Sequence, residues 1–225
     1  MTSVVSQRFK GALGRPFLAL TAALVVGCAS ESEFVVQGEA QGSTFVLRAY
    51  GDSLNLIESD VARWLADYNK AVSVWDPQSE LSRLNRGETL APSLILSDLL
   101  RMTEGIRVAT DSLVEPALEP VLRAWGFTAG TQLIPSARGA RRDSVIVDSL
   151  MALVHWTAPE VTPDGTRLTH PINVNAFAQG HSVDLVLDSL RARGATAAFV
   201  EIGGEVRSFG LKPDGDAFKV GIEKP

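Results

Sequence analysis

Ala176-Phe177-Ala178-Gln179-Gly180-His181-Ser182-Val183-Asp184-Leu185-Val186-Leu187-Asp188-Ser189-Leu190-Arg191-Ala192-Arg193-Gly194 runs directly into Thr196 and the apolar segment Ala197-Ala198-Phe199-Val200-Glu201-Ile202. Val183, Val186, Leu187 and Leu190 recur at helical steps, so a helix over 176–193 turns one face inward. Gly194 provides its stop, because a glycine accepts the left-handed conformation that ends many helices. Ala197 to Ile202, Val206 to Phe209 and Phe218 to Ile222 then read as successive strands.

Before this helix the pattern is mostly helical. Thr44 to Tyr50 alternates, with Phe45 and Leu47 on one face and Val46 and Arg48 on the other, which predicts a strand. Gly51-Asp52 turns the chain, and Asp52 or Ser53 caps a helix carrying Leu54, Ile57, Val61, Leu65 and Tyr68. A second helix is predicted over Leu94 to Ala109, with Leu96, Leu99, Leu100 and Ile106 apolar. Pro116 and Pro120 make Val114 to Trp125 a loop leading into a short helix. Asp143 to Trp156 places Val147, Leu150 and Val154 at helical steps, and Val161 to His170 forms a hairpin around Pro163-Asp164-Gly165. Helices followed by a strand-rich end give an α+β fold rather than an alternating βαβ chain. The sequence contains no internal repeat and no low-complexity tract.

The chain has 225 residues, 45% hydrophobic and 21% charged, an ordinary globular composition. Its net charge of −5 gives no field that draws nucleic acid. Arg8, Lys10 and Arg15 precede the mostly apolar run Pro16 to Val26, which is too short to span a bilayer and fits a cleaved secretory segment. Cys28 follows Val25-Val26-Gly27 and is the only cysteine, so no intramolecular disulfide can form. This arrangement resembles the lipobox of bacterial lipoproteins, where the thiol is acylated; the alternative is an incidental cysteine. The division expected is a signal peptide over 1–27, a tether over 28–37 and a domain over 38–225. Removal of 1–27 takes three basic side chains and shifts the charge from −5 to −8. Ala29 after the cysteine provides no Asp-type retention signal, which favours a periplasm-facing outer-membrane anchor over the inner membrane.

The sequence has no P-loop, no His-Glu-x-x-His and no Gly-x-Ser-x-Gly, and His155, His170 and His181 lack metal-ligand spacing. Four segments stand out instead. They are Gln41-Gly42-Ser43-Thr44; Ser73-Val74-Trp75-Asp76-Pro77-Gln78-Ser79-Glu80-Leu81-Ser82-Arg83-Leu84-Asn85; the run from Leu113-Val114-Glu115-Pro116-Ala117 to Trp125-Gly126-Phe127; and Ile172-Asn173-Val174-Asn175 through Asp184, followed by Gly203-Gly204-Glu205. In order and spacing they resemble the signature segments of the ApbE-type FAD:protein FMN transferases, over roughly residues 38 to 225.

The resemblance implies a T-fold-like antiparallel sheet packed against helices, and a transferase with FAD as substrate and Mg²⁺ as cofactor. FMN would pass from FAD to a Thr or Ser hydroxyl of an acceptor protein as AMP leaves; no nucleophile of the enzyme's own is needed. An FAD pyrophosphatase and a lipid-anchored flavin-binding protein without turnover remain the alternatives. By resemblance, Gln41, Trp75, Leu113, Val114, Glu115, Asn173 and Gln179 line the flavin site, and the Ala176 carbonyl binds Mg²⁺. The residue types agree: an aromatic platform for the isoalloxazine at Trp75, and a helix start near Ala176 whose free N–H groups favour an anion. Trp75 as a core aromatic, and Asn173 as a plain helix-start side chain, stay open on the residues alone. The family commonly has Asp at 115 and 173, Lys or Glu at 179 and Thr at 117, so this chain differs there. Its later His segment, and the Asp and Thr completing the Mg²⁺ site, have no counterpart before Pro225. The expectation is a domain incomplete at its C-terminus and inactive by itself.

Overall fold

Gln41 and Gly42 both take positive φ, 55° and 75°, and this pair turns the chain between β1 (Ser32–Ala40) and β2 (Ser43–Gly51). A two-residue turn of this mirror-image kind matches the right-handed twist of the strands it joins. The same device, Gly203 and Gly204 at 60° and 94°, joins β5 (Ala197–Ile202) to β6 (Glu205–Phe209). All neighbours are antiparallel and the sheet order is β1-β2-β5-β6. Ahead of the last two strands lies the 18-residue helix α6 (Asn175–Ala192).

The computed structural model describes residues 32–52, 54–56, 58–129 and 144–221. These fall into two compact units, one made of the described residues up to Val61 together with those from Val183 on, and the other of the described residues within Ala62–Ser182. In the first, the β2 alternation buries Phe45, Leu47 and Ala49, and β5 buries Ala198, Val200 and Ile202. The α6 residues Val183, Val186, Leu187 and Leu190 complete this core. Gly51 is obligatory, because a Cβ there would lie 2.6 Å from the backbone oxygen of Gly194.

The second unit holds most of α1 (Glu58–Val72), then α2 (Glu80–Asn85), α3 (Leu94–Ala109), a 3-10 turn (Pro116–Leu118), α4 (Glu119–Ala124), α5 (Ser144–Met151) and the hairpin β3 (Glu160–Thr162) and β4 (Gly165–Arg167). Leu65, Tyr68, Leu81, Leu84, Leu96, Leu99, Ile172 and Val174 are its buried apolar centre. Asn85 pins one strand-like segment: its Nδ2 donates to the Ile172 carbonyl at 2.8 Å, and its Oδ1 accepts from the Ile172 N–H at 2.9 Å. The next residue, Asn173, donates its backbone N–H to the Pro116 carbonyl at 2.8 Å. Residues 172–173 are thus fixed between α2 and the 3-10 turn before α6 begins.

The α+β class, the strand β2, the helix over Leu94–Ala109, the hairpin and α6 are as the sequence implies. Five local readings change. β1 starts at Ser32, inside the span 28–37 expected to be a tether, because nine residue pairs hold it against β2. α1 starts only at Glu58, since Leu56 is buried and Arg193 donates to the Asn55 carbonyl at 3.1 Å instead of leaving that carbonyl to a helix. α2 was not foreseen; Ser79 caps it by accepting from the Ser82 N–H at 3.0 Å. α5 stops at Met151, where the bonds tighten to Leu153–Leu150 and Val154–Met151. Residues 218–221 form no strand: Phe218 stands 5.8 Å from the ring of Phe199 and 6.2 Å from that of Tyr50, held by ring contacts rather than by a ladder. The signal segment, Cys28, Ser53, Ile57, Asp143 and Ile222 lie outside the described residues.

Candidate functional site

Two left-handed residues, Asp111 (φ 50°) and Ser112 (φ 61°), reverse the chain after α3 and deliver Leu113-Val114-Glu115 to one side of a cavity of about 340 Å³. Glu115 caps the 3-10 turn that follows, its Oε1 accepting from the Ala117 N–H at 3.0 Å. Its Oε2 accepts from Arg107 Nε at 3.3 Å. Leu118 and Leu122 add apolar wall.

The end of α4 is set by Trp125-Gly126-Phe127. Gly126 takes φ 80°, its N–H reaches the Arg123 carbonyl, and the Phe127 N–H reaches the Leu122 carbonyl at 2.9 Å. This is the paired bond pattern of a Schellman cap, which requires the glycine and fixes the residue after it. That residue, Phe127, is 59% exposed and lines the cavity. The buried carboxylate of Glu119 braces the same turn by accepting from Arg123 Nε at 2.8 Å, Arg123 Nη2 at 2.7 Å and Thr128 Oγ1 at 3.3 Å.

The opposite wall is the start of α6. Asn173 is 5% exposed; its Oδ1 caps the helix by accepting from the Asn175 N–H at 2.9 Å. Its Nδ2 is buried without a hydrogen-bond partner. A buried donor left unpaired costs about 1–3 kcal/mol. Asn175 and Ala176 in the first turn line the same space, and no acidic residue occupies that turn. The cavity is therefore apolar over most of its wall, with the Asn173 side chain, the Glu115 carboxylate and the first turn of α6 as its polar features.

Beneath the next turn of α6, Tyr68 donates from its hydroxyl to the Ala178 carbonyl at 2.7 Å and lies 3.1 Å from His181 Nδ1. His181 Nε2 is 3.2 Å from Asp98 Oδ2. Burial pushes the Tyr68 phenol well above its ordinary value, so it stays protonated as a donor. His181 is a packing residue here, as its lack of motif spacing implies. Among the described residues, no group of three or more His, Cys, Asp or Glu side chains could hold a metal ion.

Of the residues foreseen for the site, Leu113, Val114, Glu115, Asn173 and Ala176 converge on this cavity. Trp75 and Gln179 belong to the same compact unit but do not line it; Gln41 lies in the sheet unit, in the β1–β2 turn. Trp75 is 57% exposed, so it is not a core aromatic. Pro116, Leu118, Leu122, Phe127 and Asn175 also line the cavity; the sequence reading placed them inside the signature segments but gave them no role in the site.

Residues 41–225 match the ApbE family. The FAD:protein FMN transferase of Vibrio cholerae is 29% identical over 215 residues, which is 90% of this chain and 62% of that protein. That of Haemophilus influenzae is 26% identical over 215 residues, covering 89% and 62%. This chain thus spans 62% of the length of these two curated relatives. Among solved structures, the flavin transferase ApbE from Vibrio cholerae superposes with a TM-score of 0.73 at 24% identity, covering 87% of this chain and 65% of that one. The Pseudomonas stutzeri flavinyl transferase ApbE, in its apo form, gives 0.73 at 23% identity, covering 89% and 66%. These two share the fold, and the match over residues 41–225 decides the rest: the chain belongs to the ApbE family.

Proposed function

We propose that the protein transfers FMN from FAD to a Thr or Ser hydroxyl of an acceptor protein, with AMP leaving. Family membership supports the flavin chemistry; the observation that carries the reading within this chain is the mostly apolar cavity at the start of α6, lined by Asn173, whose Nδ2 is buried without a hydrogen-bond partner. In this reading the apolar wall holds the flat parts of FAD, Asn173 donates to a ligand oxygen, and the N–H groups of the first α6 turn face the pyrophosphate. Phosphoryl transfer of this kind draws its rate mainly from positioning and charge stabilisation, with the nucleophile brought by the acceptor. Mg²⁺, when bound, would neutralise charge on the pyrophosphate. The Ala176 carbonyl is a suitable hard ligand, but one carbonyl does not make a magnesium site, and the described residues hold no carboxylate cluster to complete it.

The test is incubation with FAD, Mg²⁺ and a Thr- or Ser-containing peptide from a candidate acceptor, followed by mass analysis. The expected result is a peptide heavier by one FMN together with free AMP. Free FMN with AMP would make the protein a pyrophosphatase, and unchanged FAD with retained binding would make it a flavin carrier.

We further propose that Cys28 is acylated and tethers the protein to the outer membrane, facing the periplasm. The basic, apolar, Gly27-Cys28 order supports this. Among the described residues no helix is long and apolar enough to cross a membrane. Cys28→Ser is expected to leave the precursor uncleaved or to release the protein from the membrane fraction; unchanged mobility and retention would overturn the lipid anchor.

A further inference from the structure

We propose that Arg107 is a specificity-determining residue that makes the cavity tolerate an anionic ligand. The inference rests on the cavity being the FAD site. Arg107 stands in the last turn of α3, its side chain 26% exposed, with Nε 3.3 Å from Glu115 Oε2 and Nη1 4.0 Å from Glu104 Oε1. Its guanidinium carbon lies 5.9 Å from the centre of the Trp156 ring, an aromatic face that further holds a cation. Glu115 is the carboxylate among the cavity-lining residues, with a side chain only 17% exposed. Its Oε1 is already committed to capping the 3-10 turn, so Arg107 answers its charge from the other oxygen. Glu104, its side chain 47% exposed, adds a second carboxylate beside the guanidinium, with Oε2 buried and without a partner.

These three groups sum to one negative charge with Arg107 and to two without it. A carboxylate in the wall of a cavity meant for a pyrophosphate would repel the ligand; in this part-buried setting water screens that repulsion only partly. Arg107 lessens the repulsion without touching the ligand. Glu115 can then keep its capping role beside an anion. The role differs from that of a purely structural tie between α3 and residue 115, because it acts on ligand charge. FAD carries a pyrophosphate, whereas riboflavin presents the same ring uncharged.

The experiment titrates FAD and riboflavin into the full chain and its variants by flavin fluorescence. Arg107→Gln, which keeps a hydrogen-bonding side chain, is expected to raise the FAD dissociation constant about tenfold and to change that for riboflavin less than about twofold. Arg107→Lys should restore FAD binding because it restores the charge. Adding Glu115→Gln to Arg107→Gln should recover most of it, since the amide oxygen still caps Ala117 while the charge is gone. The FAD penalty should shrink in high salt. An equal loss for FAD and riboflavin, failure of Arg107→Lys to rescue, or unchanged FAD affinity in Arg107→Gln would each overturn the inference while leaving the FAD site standing. A wild-type chain that binds neither flavin overturns both.

Discussion

Leu187→Ala is expected to lower the unfolding free energy by about 2–5 kcal/mol, the range for emptying a fully packed leucine site. Leu187 is 0% exposed, and its α6 neighbours Val183, Val186 and Leu190 are 2%, 1% and 0% exposed. The sheet residues of the same unit are as closed, with Leu47 at 0% and Val200 and Ile202 at 1%. A leucine so enclosed leaves a void that rigid strands cannot collapse into. The measurement is the urea midpoint, with Asp188→Ala as control. Asp188 pairs with Arg191 at 3.0 Å at the surface, and its loss should cost less than about 0.5 kcal/mol. Equal midpoints for the two variants would show that α6 does not supply the core of this unit.

Trp75 lies outside the cavity lining, so its stacking role requires FAD to extend past the cavity; on that proposal Trp75→Ala is expected to weaken FAD binding by about 1–3 kcal/mol, the value of an aromatic stacking contact, with little change in stability. The indole is 57% exposed, so the fold gains little from it. The loop that carries it is nevertheless fixed. Ser73 Oγ accepts from the N–H groups of Trp75 and Asp76, each at 3.2 Å. The Ser73 carbonyl in turn accepts from the hydroxyls of Ser79 and Ser82, the latter at 2.9 Å. A platform held in this way loses little freedom when a ring settles on it. Tryptophan emission quenched by FAD reports the contact, and circular dichroism checks the fold. Unaltered affinity in the variant would make Trp75 a bystander to the cavity.

The serine knot behind Trp75 also shows where the sequence is readable. Ser79 and Ser82 sit in a segment recognisable as a motif, yet its six-residue helix α2 is too short for apolar periodicity to reveal. α3 was legible from end to end because Leu96, Leu99 and Leu100 repeat over 16 residues behind the Ser93 cap. β1 was hidden for the opposite reason: Phe34, Val35 and Val36 run together instead of alternating, and only pairing with β2 makes the segment a strand. Phe218 and Val220 alternate convincingly, but Val220 is 58% exposed and the stretch pairs with no described strand. In the site, the family resemblance of the signature segments, and not any local pattern, pointed to the five residues Leu113, Val114, Glu115, Asn173 and Ala176 that line the cavity. The placement of Leu118 and Leu122 depends on the 3-10 turn and α4 bringing them to residues about fifty positions away, which no local pattern encodes.

The sheet order β1-β2-β5-β6 joins two local hairpins through a pairing in which the Tyr50 carbonyl meets Thr196, 146 residues later in the chain. Hairpins form in about 1–10 μs, whereas a contact across so long an intervening segment must first close a large loop. During synthesis β1 and β2 leave the ribosome well before β5 exists. At about 5–20 residues per second, the open edge of β2 waits for roughly 7–30 seconds. Over that interval the nascent chain offers unpaired backbone and the apolar side of Phe45 and Leu47 to whatever is near. Production of the protein should therefore depend on translation speed and chaperone supply more than its finished stability would suggest.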